Sequence, residues 1–174
     1  MIRKDVLVWG GGTGGVAAAL QAARSGATTM LLTPGPWLGG MVSAAGVCAP
    51  DGHELSCWQT GLWGAFLREL ERREPEGLDH NWVSCFGYRP TTAEQILQDW
   101  VRAEANLLWW PRCRLLEVER EGSLINALQV EIDAERRRVR WRLRRTRSSG
   151  HLPQQETHIL FRSFAQKWAR GNKS

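Results

Sequence analysis

Five glycines in six positions, Gly10-Gly11-Gly12-Thr13-Gly14-Gly15, interrupt the chain between two very different patterns, and few folds accommodate that sequence of events. Before them, Asp5 to Trp9 (DVLVW) is short, apolar and β-branched, the pattern of a strand buried on both faces. From Gly14 to Ser25 (GGVAAALQAARS) the composition turns to Ala-rich helix, and Gly26 can supply the left-handed residue that ends one. Thr28 to Thr33 (TTMLLT) then reads as a second strand, stopped by Pro34. The pieces make a βαβ unit within about the 30 residues such a unit needs.

Gly10, Gly12 and Gly15 stand at the GxGxxG spacing. Glycines cluster in many flexible loops, so the spacing alone carries little; its place between a strand and a helix is what gives it meaning. In that context Gly10 makes the tight turn, Gly12 lets backbone approach a pyrophosphate, and Gly15 lets helix pack close to strand. The helix start then offers unsatisfied N–H groups and a positive dipole to phosphate. Such units usually place Asp or Glu at the end of the second strand, to bond a ribose, but this chain has Thr33. Replacing charge-assisted bonds by one neutral bond weakens binding by about 1 to 3 kcal/mol without abolishing it. No Arg is beside Thr33 in sequence to favour a ribose 2′-phosphate, so NADP gains nothing from the change.

Residues 34–60 are rich in Gly, Pro and Ser without sustained period, and a loop of that length is expected to have a function. Thr60 to Glu74 is an amphipathic helix. Thr91 starts another, with Glu94 forming a capping box and Ile96, Leu97, Trp100 and Val101 on one face, running to about Asn106. Leu107 to Trp110, Arg114 to Val118 and Leu124 to Ile132 read as strands, with a turn at Glu121-Gly122. The expected fold is α/β: a Rossmann-like dinucleotide-binding βαβ unit with a parallel sheet, added helices and a small β-meander.

Residues 5–43 (DVLVWGGGTGGVAAALQAARSGATTMLLTPGPWLGGMVS) resemble the N-terminus of FAD-dependent oxidoreductases with the glutathione-reductase type of FAD domain, most of all a bacterial group whose second strand is followed by LGGM and Ser or Thr. The resemblance implies FAD as cofactor, with Gly10, Gly12, Thr13, Gly14 and Gly15 along the pyrophosphate. Thr33 takes the ribose position that the family fills with Glu. Leu38, Gly39, Gly40, Met41 and Ser43 match the loop along the flavin side, and this second glycine pair favours FAD over NAD. It also implies an adenine contact at the backbone near Leu115. The likeness covers about the first 135 residues, and the ATG- or ATE-like turn and substrate domain of complete members do not follow. The domain reading is therefore residues 1–135 as an incomplete FAD-binding domain and residues 136–174 as a basic tail, out of frame or disordered; the strand-like RRRVRWRL reaches the place of the strand that follows the meander, and the gene is expected to be truncated or frameshifted near residues 143–148. The implied activity is flavin-dependent oxidation or reduction of an unknown small molecule, with little turnover by this chain and no residue identifiable as catalytic acid or base.

Charge makes the tail conspicuous. Residues 1–135 hold 11 Lys and Arg against 17 Asp and Glu, whereas residues 136–174 hold 12 against one, so the net +5 of the 174-residue chain belongs to its end. Arg136 to Arg147 contains eight Arg and Trp141, which supports a competing reading as a nucleic-acid binder; a nonfunctional remnant is the third. Hydrophobic residues make up 43% and charged residues 24%, the balance of a soluble globular protein. No run approaches the roughly 20 apolar residues of a membrane span and no secretory signal is evident, so the expectation is a cytoplasmic protein without a membrane partner. Cys48, Cys57, Cys85 and Cys113 are too dispersed for a CxxC pair and are expected to be reduced. His53 and Cys57 lack further ligands, so no metal is expected. His80, Cys85 and Tyr88 read as loop residues, Cys48 could approach a flavin but has no partner cysteine, and most of the ten Trp are read as packing.

Overall fold

The computed structural model describes residues 2–50, 60–76, 78, 84 and 86–141. The first strand is broken in two, and each piece serves a different sheet. Strand β1 (Ile2–Lys4) pairs in parallel with β7 (Glu135–Trp141), and β2 (Val6–Trp9) pairs in parallel with β3 (Thr29–Leu32). Between them Asp5 fixes the break, its carboxylate accepting the N–H and hydroxyl of Thr28 at 2.9 and 2.7 Å.

β3 also pairs in parallel with β4 (Leu107–Trp110), which makes the expected three-stranded parallel sheet β2-β3-β4. The second sheet runs β1-β7-β6-β5, with β5 (Arg114–Glu121), β6 (Leu124–Ile132) and β7 antiparallel neighbours, so the expected two-strand meander gains a third strand. Helices α1 (Thr13–Arg24), α2 (Gly61–Arg73) and α3 (Pro90–Ala103) and a 3-10 turn at Gly40–Val42 complete the described elements.

All four β3 residues are buried because the parallel sheet is covered on both faces. Val8 and Leu31 face the helices, in a core with Leu20, Leu67 and Ile96. Leu7, Met30 and Leu32 face the other way, against Leu128, Val130 and Val139 of the meander. Each such Leu contributes about 1.5–3 kcal/mol by leaving water. Helix α1 ends as the glycine suggested: Gly26 has φ +86°, its N–H donates to Ala23 O at 2.9 Å, and the Ala27 N–H donates to Ala22 O at 3.1 Å.

Two expectations change. The capping box at Thr91 does not form: α3 starts one residue earlier, with Arg89 as N-cap, Pro90 in the first turn and no side-chain cap bond. The Arg89 N–H donates instead to Glu74 Oε1 at 3.0 Å, so the end of α2 fixes the start of α3. Glu94 is buried and receives Gln98.

The second change concerns the domain end. The reading at residue 135 placed Arg136 onward in a tail, yet β7 runs from Glu135 to Trp141 in the interior of the second sheet. Burial at one position and pairing to carboxylates at others let so basic a run form a strand. Val139 is fully buried, while Arg138 donates to Glu119 Oε1 of β5 at 2.7 Å and Arg137 pairs with Glu135. A compact unit spans Met1–Arg144, separate from Arg145–Ser174. The short amphipathic piece that the sequence shows at Ile159 to Trp168, the arginines beyond Trp141, and His53, Cys57, His80 and Cys85 lie outside the described residues.

Candidate functional site

The glycine turn lies where β2 hands the chain to α1. Gly10 has φ +117° and its N–H donates to Leu32 O at 2.8 Å, extending the strand pairing by one residue before the chain turns. A Cβ on Gly15 would lie 2.1 Å from Gly10 O, so helix and strand approach as closely as its place in the spacing requires. Gly12 and Gly14 differ, since a Cβ on either would meet nothing within 4 Å. They border open space, and Gly12 has an extended conformation (φ −67°, ψ 171°) that any residue can adopt.

The first turn of α1 faces that space with its donors uncommitted to side chains. Gly12 is the N-cap without a side-chain bond, no acidic residue occupies the first turn, and Val16 is the residue whose N–H returns to Gly12 O, at 3.0 Å. The N–H groups ahead of it have no intrahelical acceptor. An anion is the natural complement of this geometry.

The second glycine pair docks on the first. Gly39 forms a parallel bridge with Gly12, its N–H donates to Gly11 O at 2.7 Å, and its carbonyl accepts the Thr13 hydroxyl at 2.9 Å. Gly39 and Gly40 have φ +105° and +58°, and a Cβ on Gly40 would meet Gly12 Cα at 3.0 Å. The Ser43 hydroxyl donates to Leu38 O, closing the loop on itself. Leu38 and Ser43 are buried, Leu38 within the helical core, whereas Met41 is 65% exposed. The candidates at 10–15 and 39–40 thus meet backbone to backbone, while the side chains of Leu38 and Ser43 turn inward.

Thr33 is beside this cluster but is committed elsewhere. It is 1% exposed; its hydroxyl donates to Gly35 O at 2.7 Å and accepts the Trp109 indole N–H at 3.1 Å. An arginine that sequence does not put next to Thr33 arrives through the fold, for the Arg112 N–H donates to Gly35 O at 3.4 Å. Leu115 lies in β5 just before a register shift, with its side chain against the second core.

Sequence reasoning missed a cavity of about 120 Å³ behind Thr13, walled by Val16, Val42, Trp63, Phe66 and Trp100. Phe66 meets Trp100 edge-on, centroids 6.3 Å apart. The abundance of Trp was the available signal, but the residues come from three helices and a loop. The described thiols are not activated. Burial raises Cys48, and it raises Cys113 to about 11, so both stay protonated at neutral pH. Burial also pushes the Tyr88 phenol well above its usual range, with Cys48 adding to the effect, and its hydroxyl has no partner among the described residues. No group of three or more His, Cys, Asp or Glu that could hold a metal occurs among the described residues.

Residues 5–143 match the family model described as FAD dependent oxidoreductase. The chain belongs to the FAD-dependent oxidoreductase family. Its cofactor is FAD. Solved structures similar in fold include a geranylgeranyl bacteriochlorophyll reductase-like protein from Thermoplasma acidophilum (21% identity, TM-score 0.53) and a myxobacterial chondrochloren halogenase, a variant of FAD-dependent halogenases (18%, 0.53). A third is p-nitrophenol 4-monooxygenase from Pseudomonas putida (13%, 0.55). Each alignment covers 81% of this chain but only 38%, 36% and 40% of the respective structure. No curated protein matches the sequence. Like other flavin oxidoreductases the family uses a nucleotide-bearing cofactor, and the glycine cradle fits one: donors at the start of α1, open space over Gly12 and Gly14, and no competing carboxylate in the first turn. No described helix is long and apolar enough to cross a membrane.

Proposed function

We propose that this chain is the FAD-binding portion of an oxidoreductase acting on a small molecule. Its part is to hold the cofactor's pyrophosphate over Gly12 and Gly14, on the N–H groups of Thr13, Gly14 and Gly15, and to direct the flavin half along Gly39, Gly40 and Met41. When bound, the flavin supplies hydride or electron transfer, and the protein supplies orientation. Thr33 contributes little to the ribose, because its proton and one acceptor position are already engaged within the protein. Cys48 and Cys113 are not nucleophiles in this reading, since burial keeps them as thiols.

The observation that carries the reading is the open space against an uncapped helix start, bordered by two glycine segments in backbone contact. Binding at such a start combines hydrogen bonds with the helix dipole. The arginine-rich alternative loses part of its basis, because Arg138 is matched to Glu119 within the sheet. FAD titration of the wild-type chain and of Gly12→Val tests the proposal. Wild type should retain FAD after free cofactor is removed, read by flavin absorbance at about 450 nm, and Gly12→Val should not retain it while melting within a few degrees of wild type. Equal FAD affinity in the two proteins would rule the site out.

A further inference from the structure

We infer that Thr13 is a positioning residue: its hydroxyl latches the Gly39 loop onto the glycine turn and does not donate to the cofactor's phosphates. This rests on the FAD-binding reading above and deepens it by separating what holds the adenylate half from what holds the flavin half. A threonine hydroxyl has one hydrogen to give. Here it is given to Gly39 O, 2.9 Å away and 26 positions along the chain. A phosphate oxygen only accepts at neutral pH, so the hydroxyl could serve it only by releasing Gly39. The backbone N–H of Thr13 carries no such commitment and remains the phosphate donor at this residue.

The bond closes a two-way junction. Gly39 receives from Thr13 through its carbonyl and donates to Gly11 O through its N–H at 2.7 Å, so the loop is tied through both peptide groups that flank the Gly39 Cα. Everything around that junction is tight. A Cβ on Gly39 would lie 2.6 Å from Ser43 Oγ and 2.7 Å from Leu97 Cδ1, and one on Gly40 would lie 3.0 Å from Gly12 Cα. The two ends of the loop are joined, for the carbonyl of the fully buried Leu38 accepts the Ser43 hydroxyl. The segment from Leu38 to Ser43 is therefore a tightly packed piece, and among the described residues Thr13 is its side-chain tether to the phosphate turn. Met41 rides on it, exposed.

ADP and FAD separate the two roles, because ADP has the pyrophosphate but no flavin half. With the full chain, Thr13→Val should bind ADP as wild type does and bind FAD about three- to tenfold more weakly, the worth of one hydrogen bond. Thr13→Ser, which keeps the donor, should restore FAD affinity. Near-ultraviolet circular dichroism of the Trp residues checks that each variant is folded. Equal losses of ADP and FAD in Thr13→Val would make the hydroxyl a phosphate ligand and overturn the inference; unchanged FAD affinity would make the latch dispensable and overturn it too. Should wild type bind neither ligand, the FAD-binding reading itself falls.

Discussion

Gly12 and Gly15 belong to one spacing but fail differently when substituted. At Gly15 an added Cβ meets a backbone oxygen at 2.1 Å, and backbone cannot rotate away as a side chain can. Gly15→Val should therefore separate α1 from β2 and lower stability by several kcal/mol, about the 3–5 kcal/mol of a severe core lesion. At Gly12 the added atoms enter open space from an ordinary conformation, so the lesion falls on the ligand and not on the fold. Thermal melts of the two variants distinguish these outcomes, and a Gly15→Val protein as stable as wild type would disprove the close approach. Thr33 permits a third contrast. Thr33→Val deletes the bonds to Gly35 O and from Trp109, which should destabilise the chain by about 1–3 kcal/mol as a buried indole N–H loses its acceptor. FAD affinity should stay within about twofold of wild type, and a larger loss measured by titration would show that Thr33 reaches the ribose after all.

Helices α2 and α3 are held together by charge as well as by their apolar faces. Glu69 of α2 receives Arg72 at 2.6 Å and Arg73 at 2.6 Å, and Arg73 reaches on to Asp99 of α3 at 2.6 Å. The Arg72 hydrogen bond, opposed by partial burial and reinforced by Arg73, lowers the Glu69 pKa to about 2 from its ordinary 4.5. A depressed carboxylate stabilises the fold above its unfolded value and ceases to do so as pH falls through the folded one. Glu69→Gln should thus cost about 0.3–1 kcal/mol at pH 7, limited by solvent screening around an Arg72 side chain that is 67% exposed. The difference should shrink between pH 4.5 and 2 and in high salt, and denaturant melts at several pH values measure it. At this scale the sequence is most informative where causes are local. The βαβ unit, Gly26 and the strand at Leu107 to Trp110 follow from period, propensity and turn residues within a few positions. The start of α3 does not, because Glu74 caps it from 15 positions away. The Thr13 latch and the aromatic cavity escape for the same reason: each joins residues that only the folded chain makes neighbours.

The whole unit turns on where it ends, and there composition and structure point to different places. Counting charges divides the chain at residue 135, but counting what each strand buries divides it later. β7 supplies Val139 to the second core, lies between β1 and β6, and sets Arg138 against Glu119 on β5. A chain ending at residue 135 would leave β1 without the strand it pairs with, expose Leu128 and Val130 to water, and leave a β6 edge open to other chains. The apolar loss alone is several kcal/mol, comparable with the stability of a domain of this size. Ending the chain at 144, where the compact unit ends, removes none of these contacts. The shorter protein should therefore aggregate or lose its cooperative melt, while the longer one should melt as the full chain does and bind FAD equally well. Two truncations that fold alike would return β7 to the tail, and with it the arginines that the sheet now neutralises.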